Sequence, residues 1–226
     1  MATILFSIIL PIFDPSQTIT TTLDSLSPQH GEFEVVVVQR YPVIATGFPF
    51  EQKTTVVTQA GVTRGSLLNF GVTKATGDVF LFLWPGSRLP DDALLAIETN
   101  FNLLPQSMGG NFHVTYEDPS FFTRRLEQML KMWRYQGRYF GHSGIFVRRE
   151  AFEALGGFHD VDLLEDYDFA QRLDNYGATL FLPQHIIAST SRFQNRKVQA
   201  TISWAAIYAL YRLGISPNTL AKLYFS

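Results

Sequence analysis

With 226 residues, 46% of them hydrophobic and 17% charged, the chain has enough apolar surface for one packed domain and falls outside the disordered and low-complexity classes. Cysteine is absent, which removes disulfides, thiolate metal sites and a cysteine nucleophile together. The 18 basic and 20 acidic residues leave a formal charge of −2, too little positive charge for a general nucleic-acid binder, so no nucleic-acid partner is expected.

The first apolar run, Ile4–Phe13, is ten residues long, short of the roughly 18 that cross a bilayer. No Lys or Arg precedes Arg40, so the basic start of a secretory leader is missing and a soluble, cytoplasmic protein is expected. Ile4–Leu10 reads as a strand buried on both faces. A turn at FDPS follows, then a helix capped by Ser16 with Ile19, Leu23 and Leu26 on one side. Glu34–Val38 and Thr54–Thr58 are the next strands. Arg64–Ala75 reads as a helix ended near Gly77, and Val79–Trp84 as another buried strand. Pro90, Asp91 and Asp92 open a helix whose stripe is Leu94, Ile97, Phe101 and Leu104. Alternating strands and helices with continuous apolar strands predict a mainly parallel sheet covered on both faces. Ligands of such sheets lie beyond the carboxyl ends of the strands, which directs attention to PIFDPS, QRY and WPGSR.

The second half has another grain. Residues 119–149 carry seven basic and one acidic group, residues 150–174 one basic and eight acidic, and residues 175–226 five basic and none acidic. Phe121–Arg138 reads as a helix whose apolar positions Phe122, Leu126, Met129 and Trp133 face the protein, with Arg124, Arg125, Lys131 and Arg134 outside. GHSGIFVRR leads into a short strand. The acidic stretch HDVDLLEDYDFAQRL enters a helix with the stripe Phe169, Leu173 and Tyr176, and Thr179–Leu182 is the last strand. Val198–Leu213, stopped by Gly214, and a short helix with Ser216 as cap and Pro217 first complete the pattern. The five histidines are dispersed, without zinc spacing, and phosphate-loop and Gly-x-Ser-x-Gly motifs are lacking.

SIILPIFDPSQTITTTLDSL, GVTRGSLLNFGVTKATGDVFLFLWPGSRLPDDAL, and GHSGIFVRREAFEALGGFHD followed by LLEDYDFAQRLDNYG together resemble the inverting family-2 glycosyltransferases of the GT-A fold, over about Ile4–Arg192. The ending YRLGISPNTLAKLYF is similar to short members associated with radical-SAM or selenodomain proteins. The resemblance implies a GT-A α/β fold: a mainly parallel central sheet flanked by helices, with a helical C-terminus. It implies one domain over 1–226, with a nucleotide-binding half 1–105, an acceptor and catalytic half 106–190, and C-terminal helices 191–226. The implied partners are a nucleotide-sugar donor, a UDP-sugar by family, and an acceptor. Glu165-Asp166 matches the family's Glu-Asp pair and makes Asp166 the candidate base, while position alone would make these acids helix-N-terminal stabilisers. Pro11, Phe13, Asp14, Gln39, Arg64, Asn69, Trp84, Gly86, Ser87 and Arg88 fall at the donor pocket. His142, Ser143 and Arg192 fall on the acceptor or diphosphate side.

Several positions depart from the family. Gln39 stands where an Asp usually ends the second strand. Trp84, Pro85 and Gly86 replace the Asp-x-Asp that holds a divalent cation, and Gly141-His142-Ser143 replaces Gly-Asp-x. No residue here is assigned to a metal, and Mg or Mn is disfavoured as cofactor. Two readings follow: a transferase with an altered donor site, and a non-catalytic relative that binds a nucleotide, glycan or protein. A third, a peripheral membrane transferase with a lipid-linked acceptor, rests on the basic aromatic helix.

Overall fold

Seven strands form one sheet in the order β3-β2-β1-β4-β6-β5-β7 in the computed structural model, which describes residues 4–17, 19–42, 50–191 and 197–225. The strands are β1 (Leu5–Ile12), β2 (Glu32–Gln39), β3 (Thr54–Thr58), β4 (Val79–Phe82), β5 (Ser107–Tyr116), β6 (Ile145–Arg148) and β7 (Ala178–Ala188). All neighbours pair in parallel except β6, which runs antiparallel to both β4 and β5. The mixed, mostly parallel α/β architecture is the one expected. The apolar runs of β1, β2 and β4 are buried on both faces, as continuous hydrophobicity requires.

One face is covered by α1 (Thr20–Asp24) and α3 (Ala93–Leu103), which contribute Leu23, Leu94, Ile97 and Phe101 to a core with Phe6, Ile8, Val35 and Leu81. The other face packs α2 (Arg64–Val72), α5 (Arg149–Ala154) and α6 (Glu165–Tyr176) through Leu67, Leu68, Phe152, Phe169 and Leu173. Further elements are α4 (Phe121–Arg134), α7 (Lys197–Arg212) and α8 (Pro217–Phe225). Among the described residues no helix is long and apolar enough to cross a membrane.

Several local expectations are corrected. Ser16 does not cap α1: its N–H and hydroxyl both donate to Asp14 Oδ1, at 2.8 and 2.6 Å, and the helix begins at Thr20 without a side-chain cap. Pro90 and Asp91 precede α3, and Asp92, in the left-handed region at φ 56°, pairs with His30 at 2.6 Å instead of capping it. Leu104 and Tyr176, assigned to buried stripes, are exposed. The ten-residue strand β5 was not foreseen, because Gly109 and Gly110 weaken its sequence signal. Both glycines are required there: a Cβ would meet Phe146 O at 2.5 Å from Gly109 and Leu180 O at 2.2 Å from Gly110.

The basic helix ends at Arg134, and that residue is buried rather than outside. Trp133 packs inward as predicted, stacked on Tyr208 of α7 at 5.5 Å, whereas Met129 lies partly exposed. Ser216 caps α8 as its position suggests, accepting from the Thr219 N–H at 3.3 Å.

Candidate functional site

Parallel pairing brings the carboxyl ends of β1, β2, β3 and β4 to one edge of the sheet. Because β6 is antiparallel to β4, with Ile145 in register with Phe82, the turn that precedes β6 arrives at this same edge. The chain reverses direction across the sheet at β1, between β2 and β4, so a crevice is expected there.

Phe13 follows β1 and is buried beneath Arg64, whose guanidinium carbon lies 3.6 Å from its ring centroid. Arg64 opens α2, where Thr63 caps the helix by accepting from the Ser66 N–H. Arg64 Nε donates to Glu165 Oε1 at 2.7 Å. Glu165 is 2% exposed; burial pushes its carboxyl up, and the neighbouring Arg64 opposes the shift. Such a pair needs both partners, since either one alone would be an uncompensated buried charge.

The acidic loop before α6 lies against the start of α2. Val161 O accepts from the Gly65 N–H at 3.0 Å, and a Cβ on Gly65 would overlap His159 O. Asp160 accepts from the Thr63 and Ser66 hydroxyls, and Asp162 from Arg40 at 2.7 Å and the Arg64 N–H at 3.1 Å. Asn69 engages both ends of its amide with the backbone of Phe158, at 2.8 and 2.9 Å, and so fastens the Gly-Gly-Phe turn to α2.

At the tip of β4, Trp84 O accepts from the Ser87 N–H at 3.0 Å, and Gly86 has φ 83°. Pro at the second position and a positive φ at the third make this a type II turn. Trp84 is buried beside Phe13, with centroids 6.2 Å apart, and Ser87 is buried as well. Arg88 is exposed and pairs through its backbone with Ile187 at the end of β7.

Gly141 abuts the Trp84 ring so closely that a Cβ there would lie 2.4 Å from it. The Gly141 N–H donates to Asp166 Oδ2 at 2.7 Å, and Asp166 Oδ1 accepts from the Tyr167 N–H at 2.7 Å. Asp166 is half-buried, and each of its oxygens keeps a lone pair beyond these bonds. His142 stacks on Phe140 and Tyr116, with centroids 6.0 and 6.4 Å away, and Ser143 is buried with its hydroxyl on Phe140 O at 2.6 Å.

The fold thus brings Phe13, Arg64, Trp84, Gly141, Glu165 and Asp166 into one connected set. Gln39 is buried at the end of β2 and donates to Thr58 at 2.9 Å. Pro11 is buried within β1, while Asp14 is exposed, its carboxyl held low by the Ser16 hydroxyl. Arg192 lies outside the described residues. Sequence reasoning missed Glu117, which follows β5 and accepts from the Ser189 hydroxyl and the Thr190 N–H, both at 2.8 Å, close to the β4 tip. No motif marks it.

No family model matches the sequence, and no curated protein matches it. Among solved structures, S. aureus TarS superimposes with a TM-score of 0.63 at 18% identity, over 82% of this chain and 37% of that one. TarS 1–349 in complex with UDP-GlcNAc gives 0.59 at 16%, over 82% and 58%. The mannosyltransferase PcManGT from Pyrobaculum calidifontis, in complex with GDP-Man and Mn2+, gives 0.65 at 20%, over 89% and 61%. The chain therefore spans between 37% and 61% of the length of these neighbours. At these identities the likeness is one of fold, that of the GT-A glycosyltransferases.

A divalent cation beside a diphosphate takes oxygen ligands, normally with at least one carboxylate. The β4 tip presents Trp84, Pro85, Gly86 and a buried Ser87, and the described residues hold no group of three or more His, Asp or Glu side chains suited to a metal ion. These residues do not fit such an ion.

Proposed function

We propose that the chain acts as a glycosyltransferase-like enzyme, moving a sugar from a nucleotide-sugar, a UDP-sugar by resemblance, to an acceptor hydroxyl with inversion. The division into a donor half 1–105, an acceptor half 106–190 and C-terminal helices 191–226 belongs to this reading. The observation that carries it is Asp166: a half-buried carboxylate at the first turn of α6, oriented by the Gly141 N–H, one residue from the Glu165–Arg64 pair.

In the reaction the acceptor oxygen bonds to the anomeric carbon as the bond from that carbon to the diphosphate oxygen breaks. The acceptor proton passes to Asp166, and the nucleoside diphosphate leaves with the electron pair. Charge on the leaving group calls for fixed donors. Arg64 is steadied by Phe13 and Glu165, and the terminal nitrogens of its fork make no hydrogen bond among the described residues. Arg88, exposed beside the β4 tip, is the second donor.

Asp166→Asn should lower transfer by about 100- to 10,000-fold and leave donor affinity by calorimetry unchanged; activity within a few-fold of wild type would reject Asp166 as the base. UDP and UDP-sugars should bind without Mn, and more weakly as salt rises. Absence of binding with and without Mn would instead favour a non-catalytic relative that binds a glycan or a protein, the reading supported by Trp84-Pro85-Gly86 standing where carboxylates hold the metal in the family resembled.

A further inference from the structure

Beside the acceptor turn, α4 and the pair β5–β7 line a solvent-open cavity of about 210 Å³, bordered by Phe140, His142 and Ser143 on one side. At roughly 30 Å³ per water this is room for about seven waters, enough for a tetrahedral oxyanion with a short substituent.

Its lining carries a surplus of positive charge. Arg134 is committed elsewhere, to Asn111, Asp174, Thr179 and the Leu180 carbonyl. Lys131 and Arg138 also line the cavity, and neither makes an ion pair among the described residues. One carboxylate, Glu127, faces them, and it accepts from the Tyr116 N–H at 2.9 Å. His113 of β5 and His185 of β7 lie opposite each other in register, their ring centroids 5.3 Å apart. Burial first, then the neighbouring His185 and Lys131, hold the His113 imidazole below its usual value.

We infer that this cavity binds the phosphate group of a phosphorylated ligand, held by Lys131, Arg138 and the His113–His185 pair. A dianion there would supply the missing counter-charge and accept from every one of these donors. As an acceptor-side subsite the inference rests on the transferase reading; as an anion site it does not.

The test is titration of the full chain with inorganic phosphate at constant ionic strength, without nucleotide, following the imidazole resonances of His113 and His185. The shifts should saturate. Lys131→Ala and His185→Gln, both at exposed positions, should weaken binding at least fivefold, whereas Lys74→Ala, just beyond α2 where that helix packs on β1 and β2, should not. Glycerol 3-phosphate and phosphatidylcholine vesicles doped with phosphatidic acid form two further arms. Binding lost in Lys131→Ala in the first arm assigns a soluble phosphate monoester, and in the second a lipid-borne one. Unsaturable shifts, wild-type affinity in both variants, or stoichiometric displacement of phosphate by UDP would each overturn the inference. UDP affinity should be unchanged in the two variants, so failure of the phosphate site and failure of the transferase reading give different results.

Discussion

Burying a guanidinium costs several kcal/mol unless its donors are met, and Arg134 meets this condition between β5 and β7. Its Nε donates to Asn111 Oδ1 at 2.6 Å, and its Nη2 to Thr179 Oγ1 at 2.8 Å and Leu180 O at 3.2 Å. Asp174 lies 3.5 Å from Nη1, and the Tyr139 ring 4.5 Å beneath. Arg134→Ala is expected to cost about 3 kcal/mol in urea unfolding, because it strands buried acceptors. Arg134→Lys should recover less than half of the loss, since an ammonium cannot reach the fork's partners at once. Near-complete recovery by lysine would show that charge alone matters. Glu117 supplies a pH signature. The Thr190 N–H, more than any other group, holds its carboxyl below the ordinary value of 4.5. The stability it contributes is therefore present above that value and is lost as pH falls through the depressed one. Glu117→Gln should cost about 1 kcal/mol at neutral pH, kept small by solvent exposure. The gap to wild type should close on acidification; a gap that persists at low pH would assign the effect to something other than the charge.

The turn of residues 141–143 is the element on which the candidate site converges. Gly141 lies flat against Trp84 while Asp166 holds its N–H. Gly141→Ala would drive a methyl group into the indole, at a cost of about 1–3 kcal/mol, and should change the near-ultraviolet circular dichroism; an unchanged spectrum and stability would mean the turn can shift freely. The strands and helices of the first half were legible because β1, β2 and β4 are continuous apolar runs with clear turn residues between them. β5 was not, because strand propensity penalises the glycines that close packing against Phe146 and Leu180 demands. Trp84, Glu165 and Asp166 were legible only through the family resemblance that several motifs in order carry. The clamp of Asn69 on Phe158 and the link of Glu117 to Thr190 were not, because each joins segments that only the folded sheet brings together.

At the scale of the molecule, the two halves of the chain meet along the edge that holds Phe13, Trp84 and Asp166. The contacts that join them span long stretches of chain: Asn69 to Phe158 across 89 residues, Arg64 to Glu165 across 101, and Arg40 to Asp162 across 122. Closing loops of this length costs entropy before any contact rewards it. The pairing of β1 with β2 spans only 27 residues and that of β1 with β4 spans 73, both shorter than any of these. The candidate site should therefore be absent from the folding transition state. Glu165→Gln should accelerate unfolding and leave the refolding rate within about twofold, as chevron analysis would reveal; slowed refolding would place the pair in the nucleus. For a chain emerging from the ribosome, the β3-β2-β1-β4 half can pair as soon as β4 is out. Arg64 waits for a partner until Glu165 follows, so a translation pause between them would leave a nascent sheet with its candidate site still unbuilt.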